Sequence, residues 1–219
     1  MRITLYLILS TIPIWSAAQT AEASLIAAAK KVLEVKKDFE AYRLASLEDR
    51  GDEAVGYLDA RVLDYYDAML MHARYSDSAK VADLLLIDQA VVLGIRHRAT
   101  AEQIKSFTDT TCLVFALDEG MIDKEGVARI QIDAIEIEGD FARATVSSQG
   151  EVAPVKFHFY RDGGIWKFDM TQIFPTANLV FNQIQTDSGM EAGEFMIFLL
   201  EIASGTPIDE ETIWQPIIK

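Results

Sequence analysis

The sequence predicts an α+β domain, with N-terminal helices, then a curved four-stranded antiparallel meander, then a C-terminal helix. Three observations carry that reading. Apolar residues recur at helical spacing through the first half, and near Gly126 the pattern switches to alternation. The alternating stretch is cut by "EGD", "QG" and "DGG", which are hairpin signals at close spacing. Helical spacing then returns in the tail.

Residues 25–47 carry apolar side chains at helical intervals until "EDRGD" interrupts them. Asp52 stands where it would cap a second helix, on which Val55, Leu58, Val62, Tyr65 and Met69 form one stripe. Residues 78–98 read as a third helix, apolar on nearly every side through "LLLIDQAVVLGI"; that apolar stretch is too short to span a bilayer, so the helix is expected at the centre of the fold. Thr100 and Gln103 have capping-box spacing and start a fourth helix that ends near "DEG".

Strands are expected at 127–137, 141–148, 152–160 and 165–174. On the hairpin "FHFYRDGGIWKFDM", a period of two puts Val155, Phe157, Phe159, Trp166, Phe168 and Met170 on one face. Lys156, His158, Tyr160, Lys167 and Asp169 take the other, where His158 is expected opposite Asp169 on the solvated side. Ile130, Ile132, Ala142, Ala144 and Val146 extend the apolar face, and the upstream helices are its available cover. In the tail, Ser188 and Glu191 repeat the capping-box spacing, and 195–200 is an unbroken apolar run. That run needs burial on more than one side. It either plugs the domain, with "IWQPI" around Trp214 pinning the end, or docks another chain.

Met1-Arg2, the apolar run 3–15 and Ser16-Ala17-Ala18 have the three parts of a secretory signal peptide, with cleavage expected after Ala18. No cysteine lies near that site, which argues against a lipoprotein. The expected product is a single domain, 19–219, in the periplasm or secreted. The full chain carries a net charge of −14; removing the leader takes away Arg2 and no acid, leaving 19 basic against 34 acidic residues, or −15. That sign disfavours nucleic acid and, once the leader is cleaved, a membrane surface. Cys112 is the single cysteine, so no intrachain disulfide can form, and its setting in "TTCLVFAL" marks a buried, inert thiol.

Helices followed by a four-stranded meander that ends in "GIWKFD" resemble the nuclear transport factor 2-like superfamily, the cystatin-like α+β cone, over residues 52–174. The resemblance implies a ligand site between sheet and helices. The long helices at 25–47 and 188–203 are additions to that pattern, placed to fill or cover the cone mouth. In the superfamily's enzymes an Asp, His or Tyr inside the cone moves protons, because a general base must reach its substrate. Here the inward strand positions are nearly all apolar, so no catalytic residue transfers onto the strands.

The candidate catalytic group is Asp88, a carboxylate within "LLLIDQAVV" whose neighbours Leu84, Leu85, Val91 and Val92 are apolar. Its other readings are a pair with Arg74 or a solvated helix edge. Phe157, Phe159, Trp166 and Phe168 are candidate ligand contacts or, alternatively, structural core. Arg96 and Arg98 of "RHR" are a candidate anion site or a complement to a helix dipole. His72, His97 and His158 lack metal-ligand spacing, so no metal and no cofactor is expected. Two function classes follow. One is an exported non-enzymatic module that binds an apolar small molecule or a protein partner, and it admits a homodimer. The other is a small-molecule lyase, isomerase or hydrolase with a helix carboxylate as general base. The contents of the cavity between sheet and helices discriminate them.

Overall fold

The computed structural model describes residues 14–122 and 124–218; residues 1–13, and with them most of the expected leader, lie outside the described residues. Among the described residues, eight helices precede the sheet: α1 (Ile14–Leu47), α2 (Gly51–Val55), α3 (Ala60–Tyr75), α4 (Ser78–Ala82), α5 (Leu86–Arg98), α6 (Ala101–Ser106), α7 (Asp109–Asp118) and α8 (Lys124–Arg129). The sheet comprises β1 (Ile130–Glu138), β2 (Phe141–Ser148), β3 (Glu151–Asp162) and β4 (Ile165–Asp169). A 3-10 turn (Met170–Ile173), α9 (Phe174–Ser188), α10 (Ala192–Ser204) and α11 (Glu210–Ile213) complete the chain. The α+β order is therefore the one expected.

The strands form an antiparallel sheet in sequential order. Its last hairpin has the register expected of a two-residue loop, with Asp162 paired to Ile165 and Phe159 to Phe168. Gly163 and Gly164 both have positive φ, 58° and 86°, the backbone that a tight turn matched to strand twist demands. The register shifts within β1 and again within β2, and such bulges bend a sheet.

The C-terminal half of helix α1 lies across one face of this sheet and is tied there at three points. Lys31 donates to Gly139 O at 2.8 Å, Lys36 to Ile132 O at 3.0 Å and Arg43 to Ala128 O at 3.1 Å. Its buried stripe of Val35, Phe39 and Tyr42 meets the expected apolar face: Phe157, Phe159, Trp166, Phe168 and Met170 are all buried. Phe39 packs edge-on against Phe157, Phe159 and Phe168 at centroid distances of 5.7, 6.0 and 5.5 Å. The free edge of β4 is covered as well. Phe168 N donates to Tyr57 O, and Asp59 N to Phe168 O, so the segment before α3 runs parallel to β4 as a short extra strand.

Several helix boundaries differ from expectation. The second expected helix is split, and its main part, α3, is capped by Asp59, which accepts from Arg61 N, rather than by Asp52. Asp59 wins because pairing with β4 holds residues 57–59 extended, so Val55 and Leu58 fall outside the helical stripe. The third expected helix breaks at residues 83–85; Gln89 reaches back to Ala82 O and Leu84 O and satisfies the carbonyls that the break frees. The capping box of Thr100 and Gln103 forms, but a second one, Thr108 with Thr111, starts α7 separately. Val127 belongs to α8 rather than to β1.

The largest difference lies after the sheet. The fourth strand ends at Asp169 instead of 174, and Phe174 opens α9, a helix that alternation concealed. Ser188 consequently closes α9 rather than capping α10, whose N-cap Glu191 makes no side-chain cap bond. Asp169 is not on a solvated face. It stands opposite His158 as expected, yet it is fully buried, because it caps the 3-10 turn through Thr171 N at 3.0 Å and Thr171 Oγ1 at 2.6 Å.

Candidate functional site

Between the sheet and the helices lies a cavity of about 360 Å³, within the range of small-molecule sites. Phe157 and Phe168 from the sheet, Ile130 at its margin and Phe39 and Tyr42 of α1 make its floor. Tyr66 of α3 and Ile87 and Val91 of α5 form one side, and Met121, Ile122, Gly126 and Val127 another. The 3-10 turn supplies Met170 and Ile173, and α9 supplies Phe174, Ala177 and Phe181 at helical spacing. Among the described residues no Asp, Glu, Lys, Arg or His lines it. Its hydroxyls belong to Tyr42 and Tyr66, which burial keeps protonated: Tyr42 is pushed up to about 12, against an opposing pull from Ser46, and Tyr66 is raised as well.

Of the four aromatic candidates, Phe157 and Phe168 line this cavity; Phe159 and Trp166 lie in the core beyond it. Asp88 does not line it. Because the helix breaks at 83–85, Asp88 falls in the first turn of α5 rather than mid-helix, and Tyr65 Oη donates to its Oδ1 at 2.8 Å. Burial and the adjacent Asp88 carboxylate raise the Tyr65 hydroxyl. Arg74, the partner that the sequence suggested for Asp88, is engaged elsewhere, donating to the carbonyls of Ile104 and Phe107 at 2.8 and 2.6 Å.

The "RHR" cluster has a role that the helix-dipole reading only partly anticipated. Arg96 is buried, and its guanidinium donates to the carbonyls of His72, Ala73 and Ser76 at the end of α3 and of Ile213 in α11. Burial pulls it down to about 10, still charged at neutral pH. Arg98 closes α7 and α10 in the same way, through Glu119 O at 2.6 Å and Ala203 O at 3.0 Å. Backbone carbonyls thus engage both guanidinium groups of the candidate anion site. Helix ends leave unpaired carbonyls, and the fork of an arginine can serve several at once.

The tail also differs from expectation. Helix α10 packs on α5, burying Phe195, Met196, Ile197 and Leu200, and none of its residues lines the cavity. The unanticipated α9 stands there instead. Nothing in the alternating pattern before Phe174 signalled it; the available signs were Pro175 at its first turn and Gly189 just past its end. Cys112 is fully buried and its thiol is pushed up to about 12 by burial, which keeps it protonated and unreactive. Among the described residues no cluster of His, Cys, Asp or Glu is arranged to hold a metal ion, and no helix is long and apolar enough to cross a membrane. No protein-family model, no curated protein and no solved structure matches the chain, and these comparisons identify no superfamily for it.

Proposed function

We propose that this chain is an exported, non-enzymatic binding module of the nuclear transport factor 2-like kind, which holds an uncharged apolar small molecule between its sheet and its helices. The observation that carries this reading is the lining of the cavity, which is aromatic and aliphatic and, among the described residues, free of ionised groups. A charged ligand entering there would lose its hydration with no counter-ion, at a cost of several kcal/mol. A proton-transfer enzyme, the alternative, needs a base within reach of the substrate. Asp88 lies outside the lining and already accepts from Tyr65, which speaks against that alternative. Export to the periplasm or beyond rests on the leader pattern of residues 1–18.

The test is a titration of the purified protein with N-phenyl-1-naphthylamine, a neutral apolar fluorophore. Saturable one-to-one binding is expected, and Ala177→Trp, which fills the cavity from α9, should weaken it at least tenfold while the melting temperature holds. Absence of saturable uptake by the wild type, with no small molecule retained in native mass spectrometry, overturns the proposal.

A further inference from the structure

Helix α9 differs from the other walls of the cavity in how it is held. Phe174, Ala177 and Phe181 face the cavity, yet no residue of α9 is buried, and Leu179, Val180 and Ile184 are exposed on its outer side. It packs against α5 and the 3-10 turn, and its one described polar tie to α5 is a long bond from Ile87 N to Asn178 Oδ1 at 3.4 Å. It begins at a 3-10 turn without a side-chain cap and ends at Gly189 with φ 70°, two points where the chain can rotate. Helix α8, on another wall, likewise has no buried residue, but side-chain bonds tie it to the α1 side, from Lys124 to Asp49 and from Arg43 to Ala128 O. Segments with few buried contacts open at the lowest free energy.

One contact stands against that opening. The Tyr65 ring lies 4.5 Å from the ring of Phe174, the first residue of α9, and the same Tyr65 is held from behind by Asp88 at 2.8 Å. Asp88 thus reaches α9 through one aromatic side chain. The raised Tyr65 hydroxyl stays protonated across the neutral range and so remains a donor to the carboxylate. Tyr65 also packs edge-on against Tyr66, whose side chain lines the cavity, so a shift of Tyr65 is felt on the inner wall.

We infer that α9 is the gate through which an apolar ligand enters and leaves the cavity, and that the Tyr65–Asp88 pair is the latch that sets how often the gate opens. Asp88 is in this sense a positioning residue: it fixes Tyr65, and Tyr65 fixes the start of α9. The inference rests on the proposed binding role for its purpose, but the gate itself is measurable without any ligand. It needs Asp88 as a hydrogen-bond acceptor and not as a base, and this separates it from the enzymatic alternative.

Hydrogen–deuterium exchange of the whole protein tests it. In the wild type, amides of α9 should exchange faster than those of α5 and β3. Tyr65→Phe keeps the ring and loses the bond, and should raise exchange across α9 by roughly tenfold or more while β3 is unchanged. Asp88→Ala should do the same, whereas Asp88→Asn, which keeps an acceptor oxygen, should stay within about threefold of wild type. Stopped-flow uptake of N-phenyl-1-naphthylamine should accelerate in Tyr65→Phe in step with exchange. Protection of α9 equal to that of α5, or exchange in α9 indifferent to Tyr65→Phe, overturns the gate. Faster exchange confined to residues 121–127 would place the opening on the other wall and also overturn it. Gated exchange in α9 without any uptake of the fluorophore would sustain the gate and remove the binding role instead.

Discussion

Asp38 Oδ2 accepts a hydrogen bond from Trp166 N at 2.8 Å, joining the C-terminal part of α1 to the outer edge of β4 across 128 residues of sequence. This N–H points away from β3, so without Asp38 it would meet neither a strand nor a loop. Asp38→Ala leaves it unpaired beside a buried indole, and a cost of about 1 to 3 kcal/mol is expected. Urea denaturation checks this; an unchanged midpoint would mean that the bond contributes nothing.

Phe168 sits where α1 and the sheet meet, with ring centroids of Phe39, Tyr42, Phe157 and Phe159 between 4.7 and 5.6 Å away. Removing the ring costs about 3 to 5 kcal/mol in such a setting. For a chain of this size Phe168→Ala should lower the melting temperature by roughly 6 to 20 °C. Scanning calorimetry would show it, and a shift under 2 °C would mean that the hairpin face is not the core.

Gly51 illustrates a close approach rather than a special backbone angle. A methyl group there would lie 2.6 Å from Asp118 Oδ1 and 2.9 Å from Val114 O, and Gly51 N itself donates to Asp118 Oδ1 at 2.9 Å. The side chain of Asp118 can move, at the loss of that bond; the carbonyl of Val114 cannot without shifting α7. Gly51→Ala should therefore destabilise by about 1 to 3 kcal/mol, although alanine is the better helix former. A stability equal to or above wild type would contradict the packing of α2 on α7.

Both His97 and His158 are held below the usual imidazole value near 6.5. Burial is the first cause in each. For His97 the charge of Arg98 adds to it and Glu201 opposes; for His158 Asp169 opposes and Arg143 adds. A base whose folded value is depressed protonates first in the unfolded chain, which then binds more protons than the folded one. Stability should accordingly fall as the pH drops below about 6.5, and His97→Gln with His158→Gln should flatten the fall. Urea midpoints between pH 7.5 and 5.5 measure it, and a flat wild-type profile would refute it. The contacts of His97 with Ser204 Oγ and Thr206 Oγ1, at 3.0 and 2.9 Å, are the ones at stake.

What the sequence by itself determined is local. The period of two, the paired glycines at 163 and 164 and the Thr100–Gln103 capping box depend on neighbours in the chain, and each is found where the pattern places it. The burial of Phe157, Phe159, Trp166 and Phe168 also followed from alternation, because one face of a sheet must be covered. Tertiary structure alone decided the rest. Pairing with β4 stretches residues 57–59 and moves the start of a helix to Asp59. A capping role buries Asp169, which alternation assigned to solvent. Helix α9 begins without a side-chain cap directly after an alternating run, so Pro175 is the local sign of its start and the alternation outweighs it. The cavity belongs to no segment: Phe39, Val91, Phe157 and Phe181 are dispersed along the chain and line one space only when α1, α5, β3 and α9 have packed. Which residues converge on a space is set by the packing of elements against one another, and periodicity within an element carries no record of it.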